Sequence, residues 1–137
     1  MSAFDEALKT AASAMTAQTL RLRTISENIA NAGSTAASAG ADPYRRKLVT
    51  FKNVLDRETG ASTVKVDRIV NDAAPFEVKY MPGHPAADGN GYVRMPNVNP
   101  LIEMGDLREA QRSYQANVDV IDATNTMISR TIDMLRS

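Results

Sequence analysis

The 137-residue sequence contains no cysteine, no tryptophan and only one histidine. Without cysteine there is no disulfide, no thiolate metal site and no cysteine nucleophile, and the redox compartment is left open. With aromatics at 5% of residues, the smaller apolar side chains Ala, Leu, Ile, Val and Met must do most of the packing. An excess of either charge sign is missing too. Sixteen Lys and Arg balance sixteen Asp and Glu, so no global field draws the chain to nucleic acid or to an anionic membrane. Long apolar runs are also absent: Asp5, Glu6 and Lys9 interrupt the region that a cleaved signal peptide needs, and no later stretch is long enough to span a bilayer. The expectation is a soluble chain with no cleaved leader, no membrane insertion and no nucleic-acid partner.

What is present is periodicity at both ends. Phe4, Leu8, Ala11, Met15, Gln18, Leu22, Ile25 and Ile29 alternate at spacings of 4 and 3, a sustained heptad seam. Ser2 with Asp5 three residues on reads as a capping-box-like start, and Gly33 stands where a left-handed C-terminal cap costs little. Near the other end, Asn99-Pro100 pairs a capping amide with proline at the first helical position, where its missing N–H costs nothing. Leu107, Gln111, Tyr114, Val118, Ile121, Asn125, Ile128, Ile132 and Leu135 then repeat the same spacing. A helix over 100–135 is roughly 54 Å long, more than the width of a compact sphere of this chain length, so an elongated molecule is expected. Val120, Met127 and Met134 form a second stripe at spacing seven, which a hairpin of two helices leaves in water. Neighbouring chains are the expected cover.

Between the helices the period changes to two. Val64, Val66 and Val70 share a face of an extended run over 63–70, and Phe76, Val78 and Tyr80 share a face of another. Tyr44–Phe51 and Gly91–Met95 also read as extended, and turn signals separate the runs. The fold class is α+β: two long terminal helices forming an antiparallel coiled-coil-like pair, with a small antiparallel β module inserted. The expected divisions are a helix over 1–32, a small-residue flexible linker over 33–43, the β module over 44–97 and a second helix over 98–137.

Candidate chemistry is sparse. His84 has Asp88 four residues on, but no further ligand or second acid stands near it, so a loop position is expected rather than a metal or acid/base site. Asp88-Gly89-Asn90-Gly91 lacks the spacing and distal glutamate of a calcium loop and reads as a turn. Arg45-Arg46-Lys47 is a basic run that could meet phosphate or an acidic partner, yet without interleaved aromatics it reads as a solvated strand face. No phosphate loop, nucleophile elbow or H-E-x-x-H motif occurs. No enzyme, cofactor, metal or small-molecule substrate is expected.

Three stretches resemble a known family. Ser13-Ala14-Met15-Thr16-Ala17-Gln18, continuing through Arg21-Leu22-Arg23 to Asn28-Ile29-Ala30-Asn31, resembles the N-terminal signature of bacterial flagellar rod and hook proteins. Pro43-Tyr44-Arg45-Arg46-Lys47 and Gly91-Tyr92-Val93-Arg94-Met95-Pro96-Asn97-Val98-Asn99-Pro100 resemble the proximal rod members in particular. Glu109-Ala110 with Arg112-Ser113-Tyr114-Gln115-Ala116-Asn117 resembles the C-terminal axial signature. The sequence departs from the family pattern at Glu27-Asn28, where paired asparagines are usual, and after Asn31, where Ala-Gly-Ser-Thr follows. Residues 52–75 carry no resemblance.

The resemblance implies a structural subunit of the flagellar basal-body rod that transmits torque from motor to hook. It implies export by the flagellar export apparatus without a cleaved signal, helical assembly in the periplasmic part of the basal body, and contact with other copies of itself and other rod proteins. On that reading Met15, Leu22, Ile25, Ile29, Tyr114, Val118, Ile121, Ile128 and Ile132 serve helix packing and assembly. Asn28, Asn31 and Asn117 make hydrogen bonds that end or join helices, and Val120, Met127 and Met134 form the intersubunit stripe. The competing reading is a coiled-coil adaptor outside the flagellum.

Overall fold

A computed structural model describes residues 3–137; the proposed capping residue Ser2 lies outside them. The element order is helix α1 (Ala3–Ala30), strands β1 (Lys47–Leu55), β2 (Ser62–Asn71), β3 (Glu77–Tyr80) and β4 (Tyr92–Met95), and helix α2 (Pro100–Arg136). The α+β class and the two long terminal helices are as the periodicity predicts. The β module consists of two two-stranded sheets, β1-β2 and β3-β4.

Helix α1 starts with Asp5 and Glu6 in its first turn, where carboxylates favour the positive end of the helix dipole. Its end differs from the glycine cap expected at Gly33. Among the described residues the positive-φ glycines are Gly40, Gly60 and Gly91. The chain tightens instead: the Asn31 N–H reaches both the Glu27 and Asn28 carbonyls, the Ala32 N–H reaches Ile29, and the Asn31 side chain donates to the Glu27 carbonyl at 2.9 Å. Shortened i→i−3 bonds and an amide satisfy the orphan carbonyls, so no left-handed residue is needed. Helix α2 starts where Asn99-Pro100 places it. The Asn99 Oδ1 accepts the Leu101 N–H at 3.1 Å, the N-cap geometry that satisfies one of the four free donors.

The chain divides into two compact units, each built from separated segments: Met1–Leu22, Val49–Arg68 and Arg108–Ser137 in the first, Arg23–Leu48 and Ile69–Leu107 in the second. In the first unit the β1-β2 hairpin turns through Asp56–Ala61, where the Asp56 N–H bonds the Ala61 carbonyl at 2.8 Å and Asp56 Oδ1 accepts the Glu58 N–H. Lys9 of α1 forms an ion pair with Asp56, and the Ser13 hydroxyl accepts the Val64 N–H at 3.2 Å. Arg21 meets Glu109 of α2 at 3.6 Å. The residues buried here are small, Ala11, Ala17, Ala61 and Ala110, so backbones approach closely.

In the second unit β3 and β4 pair antiparallel, with Val78 opposite Arg94 and Tyr80 opposite Tyr92. The core sits on the other face, where Val93 and Met95 pack with Ala86, flanked by Met81 and Ala87. The face predicted to be apolar, carrying Val78 and Tyr80, is therefore exposed. The strand alternation is right, but the buried phase of this hairpin is set by β4, whose Val93 and Met95 outcompete the Glu77 and Lys79 across from them. The connecting loop bends at Asp88, whose Oδ1 accepts the Asn90 and Tyr92 N–H groups at 2.9 Å, an Asx turn. His84 belongs to the same loop: its Nδ1 accepts the Ala86 N–H and its Nε2 lies 3.4 Å from the Thr35 hydroxyl. Among the described residues no acidic, histidine or cysteine group is arranged to hold a metal.

Candidate functional site

The densest polar arrangement lies in the second unit, around Asn28 in the last turn of α1. Asn28 is 1% exposed. Its Nδ2 donates to the Lys47 carbonyl at 2.9 Å, and its Oδ1 accepts the Lys47 N–H at 3.0 Å and the Tyr44 hydroxyl at 2.7 Å. One side chain thereby completes the backbone pairing of the first residue of β1. Nδ2 also lies 3.5 Å from Glu103 Oε2. Burial, then the nearby charges of Glu27 and Glu103, hold the Tyr44 hydroxyl pKa above its ordinary value, which keeps it a donor.

Glu103, one turn into α2, is also 1% exposed. A carboxylate so buried needs a charged partner, and Arg46 supplies it through its Nε. The two terminal nitrogens of Arg46 reach Asp72 at 3.3 Å and Asp106 at 3.4 Å. Burial opposes the charged guanidinium, yet the hydrogen bond and charge of Glu103, then those of Asp72, raise its pKa. Asp72 is held below its ordinary value, chiefly by the Ala74 N–H and then by Arg46. The backbone is tied in as well: the Arg46 N–H donates to Asn97 Oδ1 at 2.7 Å, and Asn97 Nδ2 donates to the Asp72 and Ala74 carbonyls. Arg45 caps those two carbonyls from the other side and stacks over Phe76 at 4.2 Å.

The basic run is thus not the solvated strand face expected. Arg45 and Arg46 are spent on carbonyls, an aromatic ring and three carboxylates, because the 72–74 turn and the start of α2 bring acids from distant sequence to them. Lys47 alone keeps a solvent-facing pair, with Glu27 at 3.5 Å. Sequence reasoning missed Glu103, Asp72 and Asn97; the signal available was a lone glutamate in the first turns of α2 beside the Asn97-to-Pro100 stretch.

The predicted packing residues fall out unevenly. Ile25 is buried; Met15, Leu22, Ile29, Tyr114, Val118, Ile121 and Ile128 are half-buried; Ile132 is exposed. Of the three asparagines, Asn28 and Asn31 work at the end of α1. Asn117 lies inside α2, where its Nδ2 donates to the Ser113 carbonyl of its own preceding turn at 2.8 Å. Val120, Met127 and Met134 are 45%, 55% and 77% exposed, and Leu135 is 83% exposed.

Residues 8–37 match the family model described as flagella basal body rod protein, and residues 90–134 match the flagellar basal body rod FlgEFG protein C-terminal model. The chain is 53% identical over 137 residues to the flagellar basal-body rod protein FlgC of Agrobacterium fabrum, covering 100% of this chain and 99% of that one. It belongs to the FlgC family of flagellar basal-body rod proteins. The FlgC of Salmonella typhimurium is 42% identical over 126 residues, covering 90% of this chain and 92% of its own length. That of Bacillus subtilis is 38% identical over 149 residues, covering 98% and 99%.

Membership of the FlgC family makes the chain a structural protein of the basal-body rod, not an enzyme, and an adaptor outside the flagellum is not favoured. Asn28, Tyr44, Arg45, Arg46 and Asn97, from the stretches that resemble the rod family, meet in this polar arrangement with Asp72, Glu103 and Asp106 from outside them. In this FlgC-family chain they serve to lock strand, turn and helix ends in one arrangement.

Proposed function

We propose that this chain is a proximal-rod subunit that assembles helically through its terminal helices, with other copies of itself and with other rod proteins, and so carries torque from motor to hook. In this reading α1 and α2 form an antiparallel, coiled-coil-like pair, and residues 33–43 link the helical part to the β module. The predicted packing residues hold the helices, while the Val120, Met127 and Met134 stripe meets neighbouring subunits. The chain passes the flagellar type III export apparatus without a cleaved signal and resides in the periplasmic part of the basal body. The observation that carries the assembly is the row of large apolar side chains left in solvent along the last turns of α2, more than a monomer gains from exposing. Contacts between unlike surfaces of identical subunits extend into a helical assembly where the rotation between neighbours does not close a ring, as a rod requires. The test is Met127→Lys with Met134→Lys in a motile host. Far-ultraviolet circular dichroism and the urea midpoint of the purified chain stay unchanged, while basal bodies lose the subunit and motility stops; normal rods and swimming would contradict the assignment.

A further inference from the structure

The first unit contains an open groove of about 520 Å³ between the start of α1, the tip of the β1-β2 hairpin and the middle of α2. Its lining is made of small side chains, among them Ala7, Thr10, Ala11 and Ala61, with Gly60 at the hairpin tip and Val120 at one side. Ala11 and Ala61 are buried, so they form a floor. Such a surface admits bulky side chains from another helix as knobs into a recess. Glu6 also lines it, and its Oε1 is the atom that a side chain at Gly60 would meet at 3.3 Å. Among the described residues Glu6 has no ion-pair partner.

The same unit supplies a surface of complementary shape and charge. Met127 and Met134 lie on the face of α2 that continues from Val120, and Arg130, one turn from each, lies on that face between them. Among the described residues Arg130 has no ion-pair partner either. Only Val120 of the stripe lines the chain's own groove: α2 runs unbroken from Pro100 to Arg136, which holds Met134 about 21 Å along the helix from Val120 and outside it. A second copy has no such restriction.

We propose that this groove seats the Met127–Met134 face of the next copy of the chain, with Arg130 of that copy opposite Glu6. The inference rests on the assembly reading above and deepens it, assigning the two unlike surfaces that meet. The recess and the Met127–Met134 face lie at different places on one subunit, so each subunit receives one neighbour and enters another, and the contact propagates.

The absence of natural cysteine makes the test clean. Full-length chains carrying Ala7→Cys with Met134→Cys, or Ala7→Cys with Met127→Cys, are incorporated into basal bodies in cells, isolated and oxidised. At least one pair gives a ladder of disulfide-linked multimers, whereas cells mixing the two single variants yield dimers only. In parallel, Glu6→Arg and Arg130→Glu each reduce incorporation several-fold and the combined swap restores it, a rescue that a purely structural role for either residue does not produce. Rods that contain the cysteine variants without cross-linking, together with charge swaps that fail to rescue, overturn the groove pairing while leaving the assembly reading standing. Failure of the unaltered chain to enter rods overturns the assembly reading itself.

Discussion

At the scale of single residues, the stability of the second unit depends on a few polar side chains. Removing one partner of a buried charge pair leaves the other uncompensated, a cost of about 3–5 kcal/mol. Arg46 retains Asp72 and Asp106 when Glu103 is lost, so Glu103→Ala is expected near the lower end, about 3 kcal/mol, read as a fall in the urea midpoint. Asn28→Ala strands the Lys47 backbone groups and the Tyr44 hydroxyl, at about 1–3 kcal/mol for each group left unsatisfied. Because Asn28 and Tyr44 share one bond, Asn28→Ala combined with Tyr44→Phe costs less than the sum of the two, as a double-mutant cycle would show. Acid acts at the same scale. Asp72 is depressed by the Ala74 N–H and then Arg46, and Asp56 by Lys9 and then the Glu58 N–H. A carboxylate bound more weakly by protons in the folded state adds stability above its unfolded pKa and loses it as pH falls through the folded one. Stability is therefore flat near neutrality and declines below about pH 4, and Asp72→Asn flattens that acid limb. Asn28 and the Arg45-Arg46-Lys47 run were legible as residues, but their partners Asp72 and Glu103 were not, because those carboxylates lie far away in sequence and meet Arg46 only through tertiary folding.

At the scale of elements, periodicity and capping did most of the work. The alternation of 4 and 3 located both helices, and Asn99-Pro100 located the start of α2 to the residue. The end of α1 was less legible, since Gly33 looks like a cap in sequence while the actual closure uses Asn31 and shortened backbone bonds. Strands β2, β3 and β4 lie where extended runs were read, whereas β1 runs over Lys47–Leu55 rather than Tyr44–Phe51, and alternation cannot tell which of two hairpin partners decides the buried face. The turn at Gly91 supplies a prediction of its own. Its φ is +85°, and a Cβ there would lie 3.0 Å from Pro82 Cβ and 3.0 Å from Tyr80 Cε1. Gly91→Ala is expected to cost about 1–2 kcal/mol from the left-handed conformation alone, with further loss as the β3-β4 hairpin shifts. Thermal unfolding followed by circular dichroism measures it, and Gly89→Ala, where a Cβ meets nothing within 4 Å, serves as the neutral control.

At the scale of the whole molecule, the two units differ in what their surfaces can satisfy alone. The second unit closes its buried charges internally through Arg46, Asn28 and Asn97. The end of α2 does not close on itself: Met127, Met134 and Leu135 stay in solvent, and isolated helices without packing partners are marginal in water. The excess apolar stripe was legible from spacing alone, whereas the groove that complements it was not, because Ala7, Ala11 and Ala61 are too small to stand out in any pattern. The central claim is that the helix ends gain their stability from neighbouring subunits, and hydrogen exchange measured on the dilute chain and on isolated rods tests it most directly. Amides over 127–136 are expected to exchange rapidly in the dilute chain while those around Asn28, Lys47 and Glu103 are protected, and all become protected in the rod. Amides over 127–136 as protected in the dilute chain as those around Asn28 would contradict the claim.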